Sequence, residues 1–389
     1  MRALFTSLPA TGHFNSIMPL ALAMRDGGHD VAVCCAAEFS DRLGGMGLRH
    51  FAGGGRSLDE FLPGDLKVFG PERARFMQRE VFAAAAPDRL MPDLARAVAD
   101  WRPEVLLRES SEFAACVLAE KLDLPHAAVV TGSSASLDAG RRFFAEALAQ
   151  LRRRHGLSPD PRAGMMHRYL TLSLMPATWD GDAAVPGTLH YIRYESPSTG
   201  GGKLPGWLHR SGERPMVLAA LGTLMYREPG LLAAIIDALG QLPVDAVVAI
   251  GSDQDPAQFG VVPANVRLES FVPQIDVLAQ VAVFVTHGGF NSTKEALSQG
   301  VPLVVIPIGA EQPYTAGRVE ALGLGRAVAV DERTPQVIRD RTAEVLGDPR
   351  FRRNAGALAA EIARLPPLAH AVSLVERLAV QRQPIRRPD

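Results

Sequence analysis

Residues 271–320 read FVPQIDVLAQVAVFVTHGGFNSTKEALSQGVPLVVIPIGAEQPYTAGRVE. The apolar run VAVFV breaks into Thr286-His287-Gly288-Gly289, and a helical pattern follows from about Asn291 to Gln299. A second apolar run, VPLVVIPI, comes next. This is the pattern of strand, glycine-rich turn, helix and strand. Such a turn directs backbone N–H groups out of a helix N-terminus. That end carries about half a positive charge and offers unpaired donors, so it suits a diphosphate. His287 adds a side-chain donor, and Asn291 and Ser292 can both cap the helix and contact a phosphate. Taken alone, His-Gly-Gly before a helix is equally the pattern of a tight turn with a capping Asn.

Outward from this segment the same alternation continues. Met216–Leu221, Ala246–Ile250, Val266–Glu269, Val281–Thr286, Leu303–Ile306 and Ala327–Val330 read as strands. In the first half, residues 2–8 read as a buried strand, Ile17–Asp26 as a helix and His29–Ala36 as the next strand. A strand at Glu104–Arg108, a helix near Phe113–Leu122 and a strand at His126–Val130 follow. Parallel strands with crossover helices, in two sets, predict an α/β chain with two Rossmann-like domains. Between them, Glu195–Gly202 reads ESPSTGGG, which has the composition of a linker. The expected division is 1–195, a linker at 196–212, 213–366, and a closing segment 367–389. Asp59–Pro87 and Thr131–His167 are poor in strand signals and are expected to carry variable helices and loops.

FVPQ at 271–274, HGGFNSTKEA at 287–296 and GAEQ at 309–312 together resemble the nucleotide-sugar signature of family 1 glycosyltransferases. These have the GT-B architecture, two Rossmann-like domains with parallel sheets facing a central cleft. The resemblance runs along nearly the whole chain. It is closest to bacterial enzymes that attach deoxysugars to antibiotic aglycones such as macrolides and enediynes. It implies an N-terminal acceptor-binding domain, a C-terminal nucleotide-sugar-binding domain and a last helix, at Leu368–Val380, crossing back onto the first.

The turn Pro9-Ala10-Thr11-Gly12-His13-Phe14-Asn15 follows the first strand, at the carboxyl end where such folds place ligands. The resemblance makes His13 the general base that takes a proton from the acceptor hydroxyl, a role suited to imidazole. A lone histidine here is otherwise a helix-start residue bonded to backbone. A base imidazole needs an acid on its other nitrogen. The family position for that acid falls on Glu109, with Glu112 as a substitute and a surface pair with Arg108 as the plain alternative.

On the donor side, the resemblance implies that Phe271 borders the base and Val272 backbone reads its edge. His287, Gly288, Gly289, Asn291 and Ser292 would hold the diphosphate, helped by Gly12 and Thr223. Glu295 would meet the sugar hydroxyl of the nucleotide, and Glu311 and Gln312 the hydroxyls of the transferred sugar. Glu295 is otherwise an ordinary helix-face acid and Gln312 a helix-start polar residue. For the acceptor, Phe61, Phe69, Phe76, Met77 and Phe82 populate one variable stretch, and Phe143, Phe144, Met165 and Met166 a second. Such apolar walls suit a polycyclic or macrolactone acceptor, and local core packing uses the same residues.

No cofactor is expected beyond the nucleotide-sugar co-substrate, a dTDP-sugar, and no metal. Asp253-Gln254-Asp255 and Asp180-Gly181-Asp182 imitate a metal-binding Asp-x-Asp but sit in loop-like sequence. The helix dipole and His287 are expected to neutralise the leaving diphosphate instead.

Composition sets outer bounds. The 389 residues carry a net charge of −1, which favours neither nucleic acid nor an anionic membrane as partner. Three cysteines show neither metal spacing nor a disulfide framework, as in a reducing cytoplasm. The first residues lack the layout of a signal peptide, and no run approaches the about 18 apolar residues of a membrane span. A monomer or homodimer is expected. The reading is therefore an inverting transferase acting on a hydrophobic natural-product aglycone. Two rivals stay open: a UDP-sugar transferase that inactivates drugs or xenobiotics, and a catalytically silent homologue serving as a partner subunit.

Overall fold

The computed structural model describes residues 1–63, 73, 76–132, 136–195, 206, 208, 214–223, 225–228 and 230–387. The chain divides into two compact units, Met1–Pro197 with Leu365–Asp389, and Ser198–Arg364. The expected linker at 196–212 lies outside the described residues, apart from 206 and 208.

The first unit is built on seven strands: β1 (Arg2–Thr6), β2 (Asp30–Cys35), β3 (Arg49–Ala52), β4 (Val105–Glu109), β5 (His126–Val129), β6 (Leu170–Ser173) and β7 (Leu189–Tyr191). Their order is β3-β2-β1-β4-β5-β6-β7, and every pairing is parallel. Four residues of β1 and all of β4 and β5 are buried. A parallel strand covered on both faces needs a mostly apolar run, as in Val105–Leu107 of β4, whose two charged residues, Arg108 and Glu109, stand at its carboxyl end. Order reverses between β1 and β4, whose register pairs Thr6 with Arg108. Their carboxyl ends therefore open side by side, where α/β sheets bind ligands. Helix Leu368–Gln381 packs on helix Thr11–Asp26 in this unit.

The second unit has six parallel strands: β8 (Met216–Ala220), β9 (Asp245–Ala249), β10 (Val266–Glu269), β11 (Val283–Thr286), β12 (Leu303–Val305) and β13 (Gly325–Ala327). Their order is β10-β9-β8-β11-β12-β13. The reversal here falls between β8 and β11, with Ala220 opposite Thr286. This places the Gly222-Thr223 turn beside His287.

Three readings from sequence need correction. The segment through Asn15 is not a turn, because the first helix already begins at Thr11. Strands β3, β6 and β7 were not read at all. Each has four residues or fewer, and none carries the unbroken apolar run that marks the equally short β11 and β12. The last strand lies at Gly325–Ala327 rather than Ala327–Val330. A Cβ at Gly325 would sit 1.8 Å from the Leu303 carbonyl oxygen, so the glycine is what lets the strand approach its neighbour.

Candidate active site

His13 is the third residue of the first helix, four residues past Pro9 and just beyond the end of β1. Glu109 is the last residue of β4, the neighbouring strand. His13 Nδ1 lies 3.0 Å from Glu109 Oε1, with the imidazole 22% exposed and the carboxylate wholly buried. The other carboxylate oxygen accepts from the Ser111 amide at 2.6 Å and, more loosely, from Thr131 Oγ1 at 3.5 Å. Burial pushes the Glu109 pKa up. The His13 charge and hydrogen bond, the Ser111 amide and the Arg108 charge outweigh it, so the carboxyl sits below its ordinary range. Phe82 meets the His13 ring edge-on, with centroids 5.8 Å apart.

Arg108 does not form the alternative surface pair with Glu109. Neighbours in a strand point to opposite faces, and Arg108 is buried on the other side. Its Nη1 donates to the carbonyls of Glu109, Ser110 and Glu112 at 3.1, 2.8 and 3.1 Å, and its Nη2 to that of Met166. Glu112 also points away from His13. It accepts from Thr6 Oγ1 and from the amides of Ala114 and Ala115. Of the two acids, Glu109 is the one brought to the imidazole.

In the second unit, His287 directly follows β11 and is seated between glycines. A Cβ at Gly222 (φ +72°) would come within 2.8 Å of its Cε1, and one at Gly289 within 2.4 Å of its Nε2. Gly288 (φ +85°) packs so closely on Val305 that a Cβ would lie 2.6 Å from Cγ1. Burial pushes the His287 pKa down to about 4, against a backbone hydrogen bond with Ala220 that favours the charged form. The ring is therefore neutral near pH 7.

Helix Phe290–Ser298 starts at this turn with Gly289 as its N-cap and no side-chain cap. This corrects the capping role expected of Asn291 and Ser292, which lie inside the first helical turn. Asn291 Oδ1 instead accepts from Lys294 Nζ at 3.1 Å. Lys294 was missed from sequence, although its place three residues after Asn291 on one helix face was a usable signal. It is buried, its ammonium lies 5.6 Å from the Phe290 ring centroid, and burial lowers its pKa to about 8.

Glu295 Oε2 accepts from Gln274 Nε2 at 2.6 Å, which ties the FVPQ segment to this helix. Phe271, just beyond β10, is 75% exposed, whereas Val272 is buried. Thr223 is exposed beyond β8. Glu311 is exposed at the start of helix Gln312–Ala321. Gln312 is buried, and its Oε1 accepts from the amides of Ile308 and Gly309 at 2.7 and 2.9 Å. Ala310, between these groups, holds a φ of +54°, a left-handed conformation uncommon outside glycine.

The aromatic candidates separate into two groups. Phe61, Phe76, Met77 and Phe82 gather around buried Leu8, Val81 and Ala86. Phe143 and Phe144 form an edge-on pair, with Phe144 also against Phe113. Met165 and Met166 are buried in the main core, so they form no acceptor wall. Phe69 lies outside the described residues. Gly12 stands in the first turn of the first helix.

Both Asp-x-Asp segments are engaged in local structure. Asp253 accepts from Arg227 at 2.8 Å, Asp255 from the Ala257 amide at 2.9 Å, and Asp180 from the Tyr191 hydroxyl at 3.1 Å. Among the described residues, no group of three or more His, Cys, Asp or Glu is arranged to hold a metal. Among them, too, no single helix is long and apolar enough to cross a membrane.

The N-terminal domain model of the erythromycin biosynthesis protein CIII-like family matches residues 71–222, and its C-terminal domain model matches residues 233–378. The chain belongs to this family. The chain is 27% identical to 3-alpha-mycarosylerythronolide B desosaminyl transferase of Saccharopolyspora erythraea, over 98% of this chain and 99% of that protein. Its fold matches glycosyltransferase VinC in complex with dTDP, with a TM-score of 0.80 and 25% identity over 98% of this chain and 100% of the other. Spinosyn rhamnosyltransferase SpnG complexed with thymidine diphosphate matches with a TM-score of 0.80 and 25% identity, over 97% and 100% of the two chains. The chain is thus a GT-B glycosyltransferase, of the group that includes antibiotic deoxysugar transferases.

Proposed function

We propose that this enzyme is an inverting glycosyltransferase that moves a sugar, of the deoxysugar class, from a dTDP-sugar to a hydroxyl of a hydrophobic natural-product aglycone. The observation that carries the reading is the 3.0 Å approach of His13 Nδ1 to buried Glu109. Glu109 holds the proton on Nδ1, which leaves Nε2 as the basic nitrogen. Nε2 takes the proton of the acceptor hydroxyl as its oxygen attacks the anomeric carbon. The bond from that carbon to the diphosphate oxygen breaks in the same displacement, which inverts the anomeric configuration.

The diphosphate is assigned to the N-terminus of helix Phe290–Ser298 and to His287, with Thr223 assisting. A helix N-terminus without a side-chain cap presents amides and a positive dipole to the charge that develops on the leaving group. No metal is needed in this account. Phe271 and Val272 take the base, Glu295 the 3′ hydroxyl of the deoxyribose and Glu311 the transferred sugar. The apolar cluster of Phe61, Phe76 and Phe82 beside His13 supports a hydrophobic acceptor. The relatives solved with dTDP support the thymidine donor.

Calorimetric titration with dTDP and UDP, followed by mass spectrometry of donors against a panel of aglycones, tests the reading. Tighter binding of UDP would overturn the donor assignment. The absence of any glycoside product across the panel would overturn the transferase assignment to aglycones.

A further inference from the structure

The pair His13–Glu109 depends on two strand ends being held at a fixed spacing. His13 follows β1, which ends at Thr6, and Glu109 ends β4. One residue touches both sides of this junction. Glu112 is fully buried; its Oε2 accepts from Thr6 Oγ1 at 2.5 Å. Its Oε1 accepts from the amides of Ala114 and Ala115, the first turn of the helix that follows β4. The loop between Glu109 and Glu112 is gripped from below by Arg108 through three of its carbonyls. It is gripped from the side by Ser110, whose hydroxyl is 2.9 Å from that of Thr131.

A buried carboxylate is costly unless it is fully hydrogen-bonded, and a helix cap alone is served by a shorter, neutral side chain. Reaching across to the neighbouring strand is what the longer acid adds. The charged and titratable groups facing Glu112 are Arg108 and Glu109 on β4, Cys34 on β2 and Cys116 on the following helix. Burial lifts both thiols far above neutrality, so Arg108 and Glu109 are the two that bear charge.

We propose that Glu112 is a positioning residue for the transfer reaction: by joining the end of β1 to the loop after β4 through Thr6, it sets the approach of His13 to Glu109. The inference rests on the reading of His13 as the base.

Thr6→Val keeps the shape of the side chain and removes only the hydroxyl link. It is expected to lower kcat about tenfold, which is about 1.4 kcal/mol of transition-state stabilisation. KM and the dissociation constant for dTDP stay as in the wild type. Glu112→Ala is expected to lower kcat by a similar factor. The double variant should fall no further, since both changes cut one link. Glu112→Gln recovers most of the turnover that Glu112→Ala loses, because an amide can accept from the two N–H groups and donate to Thr6. A second readout needs no acceptor: the imidazole resonance of His13, assigned with His13→Ala, should titrate at lower pH in Thr6→Val. A looser carboxylate favours the imidazolium less.

Wild-type kcat and an unmoved His13 titration in folded Thr6→Val would overturn the proposal, whether or not Glu112→Ala folds. If His13→Ala itself retains turnover, the assignment of the base fails instead, and the two failures are told apart.

Discussion

Glu109 Oε1 stands 3.0 Å from His13 Nδ1, with the carboxylate wholly buried and the imidazole partly open. The asymmetry fits a division of labour. The buried group fixes tautomer and orientation, and the open group meets a substrate. A general base contributes only as the proton moves, so His13→Ala is expected to lower single-turnover rates about 10²–10⁴-fold. The calorimetric affinity for dTDP should stay near wild type, because nearly all of its assigned ligands are carried by the second unit. Glu109→Gln should cost less, since it orients rather than transfers. A nearly normal rate for His13→Ala with an ordinary alcohol acceptor would rule out the role.

Much of this arrangement was legible in the sequence, for identifiable reasons. β1, β4, β8 and β11 are central and covered on both faces, so most of their residues had to be apolar, with polar groups such as Arg108 and Glu109 at a strand end, and His-Gly-Gly follows one of them directly. The choice between Glu109 and Glu112 was not legible, because it depends on which way the loop turns after β4. The direction of Arg108 was, in principle, since adjacent strand residues face opposite sides. The helix start at Thr11 was hidden by Pro9, Gly12 and Asn15, which imitate a turn. Its N-cap is Ala10 with no side-chain bond, so the usual signal is missing. Lys294 was not singled out; its spacing from Asn291 was a signal, but its burial shows only in the folded structure.

Acid should destabilise the protein through its buried neutral histidines. Burial depresses His287 to about 4 and His167 to about 3, and His126 lies well below 6.5. For a histidine with a depressed folded pKa, the unfolded chain binds the proton first, near 6.5. Their contribution is therefore fully present above 6.5 and is lost as pH falls toward the folded values. Thermal midpoints should drop steadily between pH 6.5 and 4. His287→Gln should flatten that slope, and an unchanged slope would mean that His287 is not the buried neutral group described.

Turnover should survive EDTA. In the proposed mechanism the charge on the departing diphosphate is met by amides, helix dipole and His287. Rates measured after exhaustive chelation, with and without added magnesium or manganese, check this. Strict loss that a divalent ion restores would reject it and direct attention back to Asp253 and Asp255.

Glu311 and Gln312 should behave differently, although they are adjacent in the chain. Gln312 is buried, with its oxygen on the amides of Ile308 and Gly309. Its truncation strands two buried donors, at a cost of about 1–3 kcal/mol. Gln312→Ala should therefore lower the melting temperature and, through the loop at Ala310, weaken turnover with every donor. Glu311 is exposed at the helix start, and Glu311→Gln should leave the melting temperature close to wild type. Its effect should be a raised KM for the sugar nucleotide with little change in the affinity for dTDP, because only the sugar is lost as a partner. Melting curves and paired titrations with dTDP and the sugar nucleotide separate the two. If Gln312→Ala melts like the wild type and alone raises the KM, the sugar contact belongs to Gln312, and its bonds to the loop amides must open when the donor binds.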